Sequence, residues 1–182
     1  MNRILLAMFA VLALSACNEQ AAVKPPPVAM TAEALGHYCQ MNLLEHPGPK
    51  AQVHLAGLQA PLFFSQVRDA IAYQRMPEQS HEIVAIYVSD MGAAPSWENP
   101  GADNWIAADD AVYVIGATLA GGMGAPELVP FGERAAAEDF VERNGGEILA
   151  LASVPDDFVL APVELELDAD GNFIPPDGAT TN

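Results

Sequence analysis

Positive charge is nearly missing from this chain: seven lysines and arginines stand against 24 aspartates and glutamates in 182 residues. With so few cations there is little to neutralise a phosphate backbone, which excludes nucleic acid as a partner. The net charge of −17 also repels anionic lipid headgroups, so any membrane contact has to come from something other than the surface. Cysteine is scarce too. Cys17 and Cys39 are the only two, too few for a disulfide framework. The longest apolar run, residues 4–14 ("ILLAMFAVLAL"), falls short of the roughly 20 residues that a membrane-crossing helix needs. Catalytic signatures are absent as well: no G-x-S-x-G elbow, no zinc-protease helix, no phosphate loop and no dinucleotide glycine pattern. "GGMGAPE" has the glycines of a phosphate cradle without its lysine, and Asp109 and Asp110, adjacent in sequence, suit surface charge better than a general acid and base.

What is present begins with a secretory signal, a short basic n-region from Met1 to Arg3 followed by the apolar run. Leu14, Ser15, Ala16 and Cys17 close it in a quartet that resembles a bacterial lipobox. That resemblance implies cleavage before Cys17 and acylation of its side chain and amine, and several acyl chains anchor a protein firmly where one binds only marginally. Residues 1–16 are therefore expected to be a lipoprotein signal peptide. Residues 17–34, with a proline triplet and no sustained period, read as a lipid-anchored tether with a maximum span of about 60 Å at roughly 3.3 Å per residue. Residues 35–154 are the folded part. Residues 155–182 carry seven acids, no base and several prolines, the composition of an acidic, flexible tail.

In the folded part, "AQVHLAG" alternates apolar and polar positions, while "EIVAIYVSD" and "AVYVIGA" are β-branched runs suited to central strands. "SQVRDAIAYQR" has helical spacing behind Ser65 as N-cap, and "ERAAAEDFVERNGG" has an apolar face with Gly145 as its stop. "PLFFSQVRDAIAYQ" and "LVPFGERAAAEDFV" run parallel, each a short apolar stretch leading into a helix and then a strand. The expected fold is α+β: two similar small ββαβ units, about 35–91 and 105–154, packed together because either alone would bury its sheet face poorly.

Chemistry concentrates in "LGHYCQMNLLEHPG". If the lipobox consumes Cys17, Cys39 is a lone thiol in an oxidising compartment, exposed to oxidation unless something employs or buries it. Met41 lies two residues on, and thiolate with thioether is the soft pairing that selects Cu(I) over hard cations; His37 adds a borderline imidazole. In an extended strand, residues two apart share a face at about 6.6 Å, so Cys39 could share an ion with either neighbour. His37 and Met41 together, about 13 Å apart, could join it only across a bend. His46 lies in a turn and His54 on a strand, ordinary places for a surface or core histidine. Met91 and Met123 sit in glycine-containing loops ("SDMG", "GGMG") from which a thioether could reach a site built by another segment.

"GHYCQMNLLEHPGPKAQVHLAG", "FFSQVRDAIAY", "IYVSDMG", "AVYVIGATLAGGMGAPELVPF" and "NGGEI", in this order and behind a lipobox, resemble the nitrous-oxide reductase accessory lipoproteins, the NosL family, over about residues 30–152. The resemblance implies a non-enzymatic, periplasmic Cu(I)-binding metallochaperone, held at a bacterial membrane by lipid on Cys17. Its implied partners are nitrous-oxide reductase, whose copper centres it helps to assemble, and the maturation machinery. It also implies that Cys39 and Met41 are copper ligands; it does not settle a third, for which His37, His46 and Met91 remain the candidates among the residues. Two other readings stand beside it: a thiol-dependent enzyme resembling organomercurial lyase, and a lipoprotein interaction module without metal.

Overall fold

The computed structural model describes residues 24–162, so the signal peptide, Cys17, the first part of the tether and residues 163–182 lie outside the described residues. The alternating stretch forms β1 (Ala51–Leu55), buried along its whole length because it runs between two neighbours. On one side it pairs antiparallel with β2 (Leu62–Phe64), and on the other with β3 (Ile83–Ser89). Helix α1 (Val67–Arg75) connects β2 to β3. A fourth strand, β4 (Trp105–Ala107), adds to the free edge of β3, so residues 105–107 complete the first sheet although the repeat pattern starts the second unit there.

The second sheet repeats the plan. β5 (Val112–Ile115) lies between β6 (Val129–Phe131) and β7 (Glu147–Ala150), both antiparallel to it, and α2 (Arg134–Asn144) joins β6 to β7. Gly145, at φ 73°, takes the left-handed position that ends α2, its N–H donating to the Val141 carbonyl. The result is a mixed α/β fold of two antiparallel sheets, each a ββαβ unit. Val53, Phe64, Val67, Ile71 and Val88 of the first unit and Tyr113, Ile115 and Leu128 of the second share one core. Val67 and Ile71 are completely buried by α1 packing on this core, each worth about 2 kcal/mol in apolar burial. No helix among the described residues is long and apolar enough to cross a membrane.

The two ends of the folded part also differ from the sequence expectation. The end of the tether is folded: Val28 exchanges hydrogen bonds with the Gln52 side chain, Met30 N–H donates to Ala102 O, and the Met30 and Ala34 side chains are buried. Hydrogen bonding to the sheet, invisible to a composition reading, orders this proline-rich segment. At the other end, residues 155–162 are not tail. They include a third helix, α3 (Asp156–Leu160), with Val159 buried, and two arginines of α1 hold it. Arg75 donates to Val154 O, Leu151 O and Asp156 Oδ1, while Arg68 donates to Phe158 O and Ala161 O. The acids at 156 and 157 that suggested disorder sit in the first turn of α3, where the helix dipole favours them.

Candidate metal centre

Residues 35–42 do not form the extended strand whose geometry would limit the thiol to one neighbour. Gly36 N–H donates to Met41 O and Gln40 N–H donates to Gly36 O, both at 2.8–2.9 Å, closing a tight loop. Gln40 makes the turn with a left-handed φ of 55°, and its side chain donates to His37 O at 2.7 Å. Asn42 then caps the short 3₁₀ turn Leu43–Glu45 by accepting from Leu44 N–H. Leu43, fully buried beside Met30 and Ala34, pins the loop to the fold.

Inside this loop the Cys39 thiol curls back over Gly36. A Cβ at position 36 would stand 2.5 Å from Cys39 Sγ, so the glycine is what leaves room for the sulfur. Ser65 Oγ lies 3.7 Å from the same sulfur. Ser65 is thus not the helix N-cap that its position suggests: Gln66 occupies that place without a side-chain cap, and the serine hydroxyl is left to face the thiol.

Cys39 lines a groove of about 410 Å³ together with Tyr38, Gln66, Arg68 and Asp69, and with Met123 and Ala125 from the second unit. Met123 is 42% exposed. The groove therefore brings together the only thiol among the described residues and a thioether from the other half of the molecule. No three His, Cys, Asp or Glu side chains converge on a metal-sized site among the described residues.

The remaining candidates fall elsewhere. Met41, also 42% exposed, does not line the groove, although its backbone is hydrogen-bonded to Gly36 directly beneath the Cys39 sulfur. The His37 ring packs among aromatics, 5.3 Å from Tyr38, 5.5 Å from Phe64 and 5.7 Å from Tyr73 between centroids, and is not in the groove wall. Met91 packs on the second unit's apolar cluster and lines a separate groove with Trp97 and Phe140. His54 is a buried β1 residue bonded to Gln52 Oε1 at 2.9 Å, and burial lowers its pKa. His46 lines a separate pocket with Leu43, Lys50 and Asn99, its Nδ1 donating to Gly122 O at 3.1 Å and its Nε2 buried with no partner among the described residues.

Two ionisable side chains, Lys50 and Glu127, are buried in this part of the fold. Lys50 is fully buried, with Nζ donating to Pro47 O and Gly48 O. Burial lowers its pKa to about 8, against the opposing pull of Glu127 and Cys39. Glu127 is buried too; its Oε1 accepts from Arg68 N–H at 3.1 Å and Leu128 N–H at 2.8 Å, while Oε2 has no partner. Burial pushes its pKa up to about 8 even though both hydrogen bonds favour the anion. Sequence reasoning missed Ser65, Lys50 and Glu127 because nothing local marks them, whereas the doubled glycine before Met123 was a visible signal.

The NosL family model matches residues 27–159. Copper-binding lipoprotein NosL of Achromobacter cycloclastes is 61% identical over 163 residues, spanning 89% of this chain and 84% of that protein. Copper-binding lipoprotein NosL of Stutzerimonas stutzeri is 32% identical over 153 residues, spanning 82% and 78%. The crystal structure of the copper chaperone NosL from Shewanella denitrificans superposes with a TM-score of 0.64 at 29% identity, over 71% of this chain and 97% of that one.

Proposed function

This chain belongs to the NosL family, and on that premise we propose that it is a membrane-tethered copper chaperone that carries Cu(I) in the groove at Cys39. The Cys39 thiolate is the anchoring ligand. Met123 supplies a thioether across the groove, and Met41, exposed on the same loop as the thiol, is the second thioether within its reach. Soft donors of this kind hold Cu(I) in preference to hard cations, and a site of few ligands at the surface leaves a coordination position open for an acceptor. The observation that carries this reading is that Cys39 and Met123, remote in sequence and from different ββαβ units, face one open groove. His37 is a weaker candidate for direct ligation, since its ring is engaged with three aromatic neighbours.

The rest of the reading follows from the family and from the N-terminus. Acylated Cys17 tethers the protein on the periplasmic side of a bacterial membrane, and its cargo serves assembly of the copper centres of nitrous-oxide reductase with the maturation machinery. The tether is shorter than composition suggests, because the folded part begins near Pro25, whose carbonyl accepts from the Tyr87 hydroxyl. A reaction like that of organomercurial lyase would need a second thiol near Cys39, and among the described residues there is none.

Anaerobic titration of the full chain in detergent with Cu(I) against a competing chelator tests the assignment. One tightly held ion is expected, lost in Cys39→Ala and weakened about tenfold or more in Met123→Ala, a factor that corresponds to about 1.4 kcal/mol. Undiminished binding by Cys39→Ala would remove the groove as the copper site.

A further inference from the structure

Met123 can serve the groove only if its loop is held at a fixed distance from Cys39, and the contacts of that loop show how this is arranged. Residues 120–126 close on themselves through an Ala120–Pro126 bridge, with Gly121 N–H donating to Ala125 O and Gly124 N–H to Gly121 O. The two residues before Met123 press on the first unit. A Cβ at Gly122 would stand 2.7 Å from Pro47 O and 2.8 Å from His46 Cβ, and the Gly122 carbonyl already accepts from His46 Nδ1. A Cβ at Gly121 would overlap the Gln66 side-chain amide and stand 2.5 Å from Glu127 Oε2. Gly124, on the other side of Met123, has nothing within 4 Å of the same position.

Seat and site share their residues. Ser65, whose carbonyl lies 3.3 Å from the Gly122 Cβ position, turns its hydroxyl to Cys39, and Gln66 lines the groove. Glu127 closes the far end of the loop by accepting from Arg68 N–H, the second residue of α1. We infer that Gly121 and Gly122, backed by Glu127, are positioning residues that dock the Met123 loop on the floor of the Cys39 groove, so that the two sulfur ligands from different units are preorganised for one ion. This rests on the reading of the groove as the copper site. Backbone without side chains is required because carbonyl and Cβ atoms of the first unit occupy the space where a side chain would go. Preorganised ligands bind more tightly because the loop's freedom is spent before the metal arrives.

The test compares Cu(I) affinity, by chelator competition on the full chain in detergent, for Gly122→Ala, Met123→Ala and their double variant. Gly122→Ala is expected to weaken binding about tenfold or more, the scale seen when a ligand's support is removed, and the double variant to bind no more weakly than the worse single one. Gly124→Asn, which keeps the left-handed backbone and meets open space, is expected to bind like the wild type. Should Gly122→Ala fail to fold, Glu127→Ala is expected to weaken binding and Glu127→Gln, which still accepts from Arg68 N–H, to restore it. Wild-type affinity in Gly122→Ala, or losses that add in the double variant, would overturn the inference while Met123→Ala still weakens binding. No loss in Met123→Ala would overturn the groove reading and this inference with it.

Discussion

Replacing Glu127 by glutamine changes one proton equilibrium and little shape, and it should change how stability depends on pH. Glu127 is fully buried, and its carboxyl pKa rises from the ordinary 4.5 to about 8, chiefly through burial, with Asp69 adding to the rise and Lys50 opposing it. Between those values the folded protein holds a proton that the unfolded chain releases. The contribution is therefore fully present below pH 4.5 and is lost as the pH climbs to about 8. At about 1.4 kcal/mol per pH unit, the loss over the whole window is about 5 kcal/mol. Glutamine keeps an acceptor for Arg68 N–H and Leu128 N–H and has no proton to lose. Urea unfolding of both proteins from pH 5 to 8 measures the difference, and this range stays clear of the Lys50 window between about 8 and 10.5. The expected result is a wild type that loses several kcal/mol relative to Glu127→Gln across the range. Parallel pH profiles would refute the claim that Glu127 is buried as a neutral acid.

Gly36→Ala should weaken Cu(I) binding about tenfold or more in chelator competition, because the new methyl lies 2.5 Å from the present position of Cys39 Sγ and the thiol has to swing out of the groove. Arg75→Leu removes donors from Val154 O, Leu151 O and Asp156, and should cost about 2–4 kcal/mol in urea unfolding, with faster amide exchange through α3. Tyr113→Phe removes the buried hydroxyl bond to Ala108 O at 2.7 Å and should lower stability by about 1–2 kcal/mol, read from the same transition.

The two ββαβ units were readable because their signals are local. Period-two alternation in β1, β-branched runs in β3 and β5, and the glycine after α2 survive whatever packs around them. The ends of the fold were not readable. Proline-rich residues 25–34 and acidic residues 155–162 have the composition of unfolded chain, and their order comes from distant partners: Gln52 and Tyr87 for the first, Arg68 and Arg75 for the second. Ser65 shows the same effect at one residue. Local rules make it a helix cap, while a thiol 26 positions away takes its hydroxyl.

By itself the sequence determined the acidic charge that repels phosphate, the lipobox that would claim Cys17, the paired units, and Cys39 as the one thiol that the lipobox would leave. These depend on composition or on neighbours along the chain. That Met123 lines the Cys39 groove and Met41 does not was decided only by the tertiary structure. The loop at 35–42 closes on Gly36 instead of extending, and Gly122 of the second unit lies against Pro47, His46 and Ser65 of the first. Met123 reaches the groove for that reason, and Met91, in an equally open loop, is carried to the other cluster.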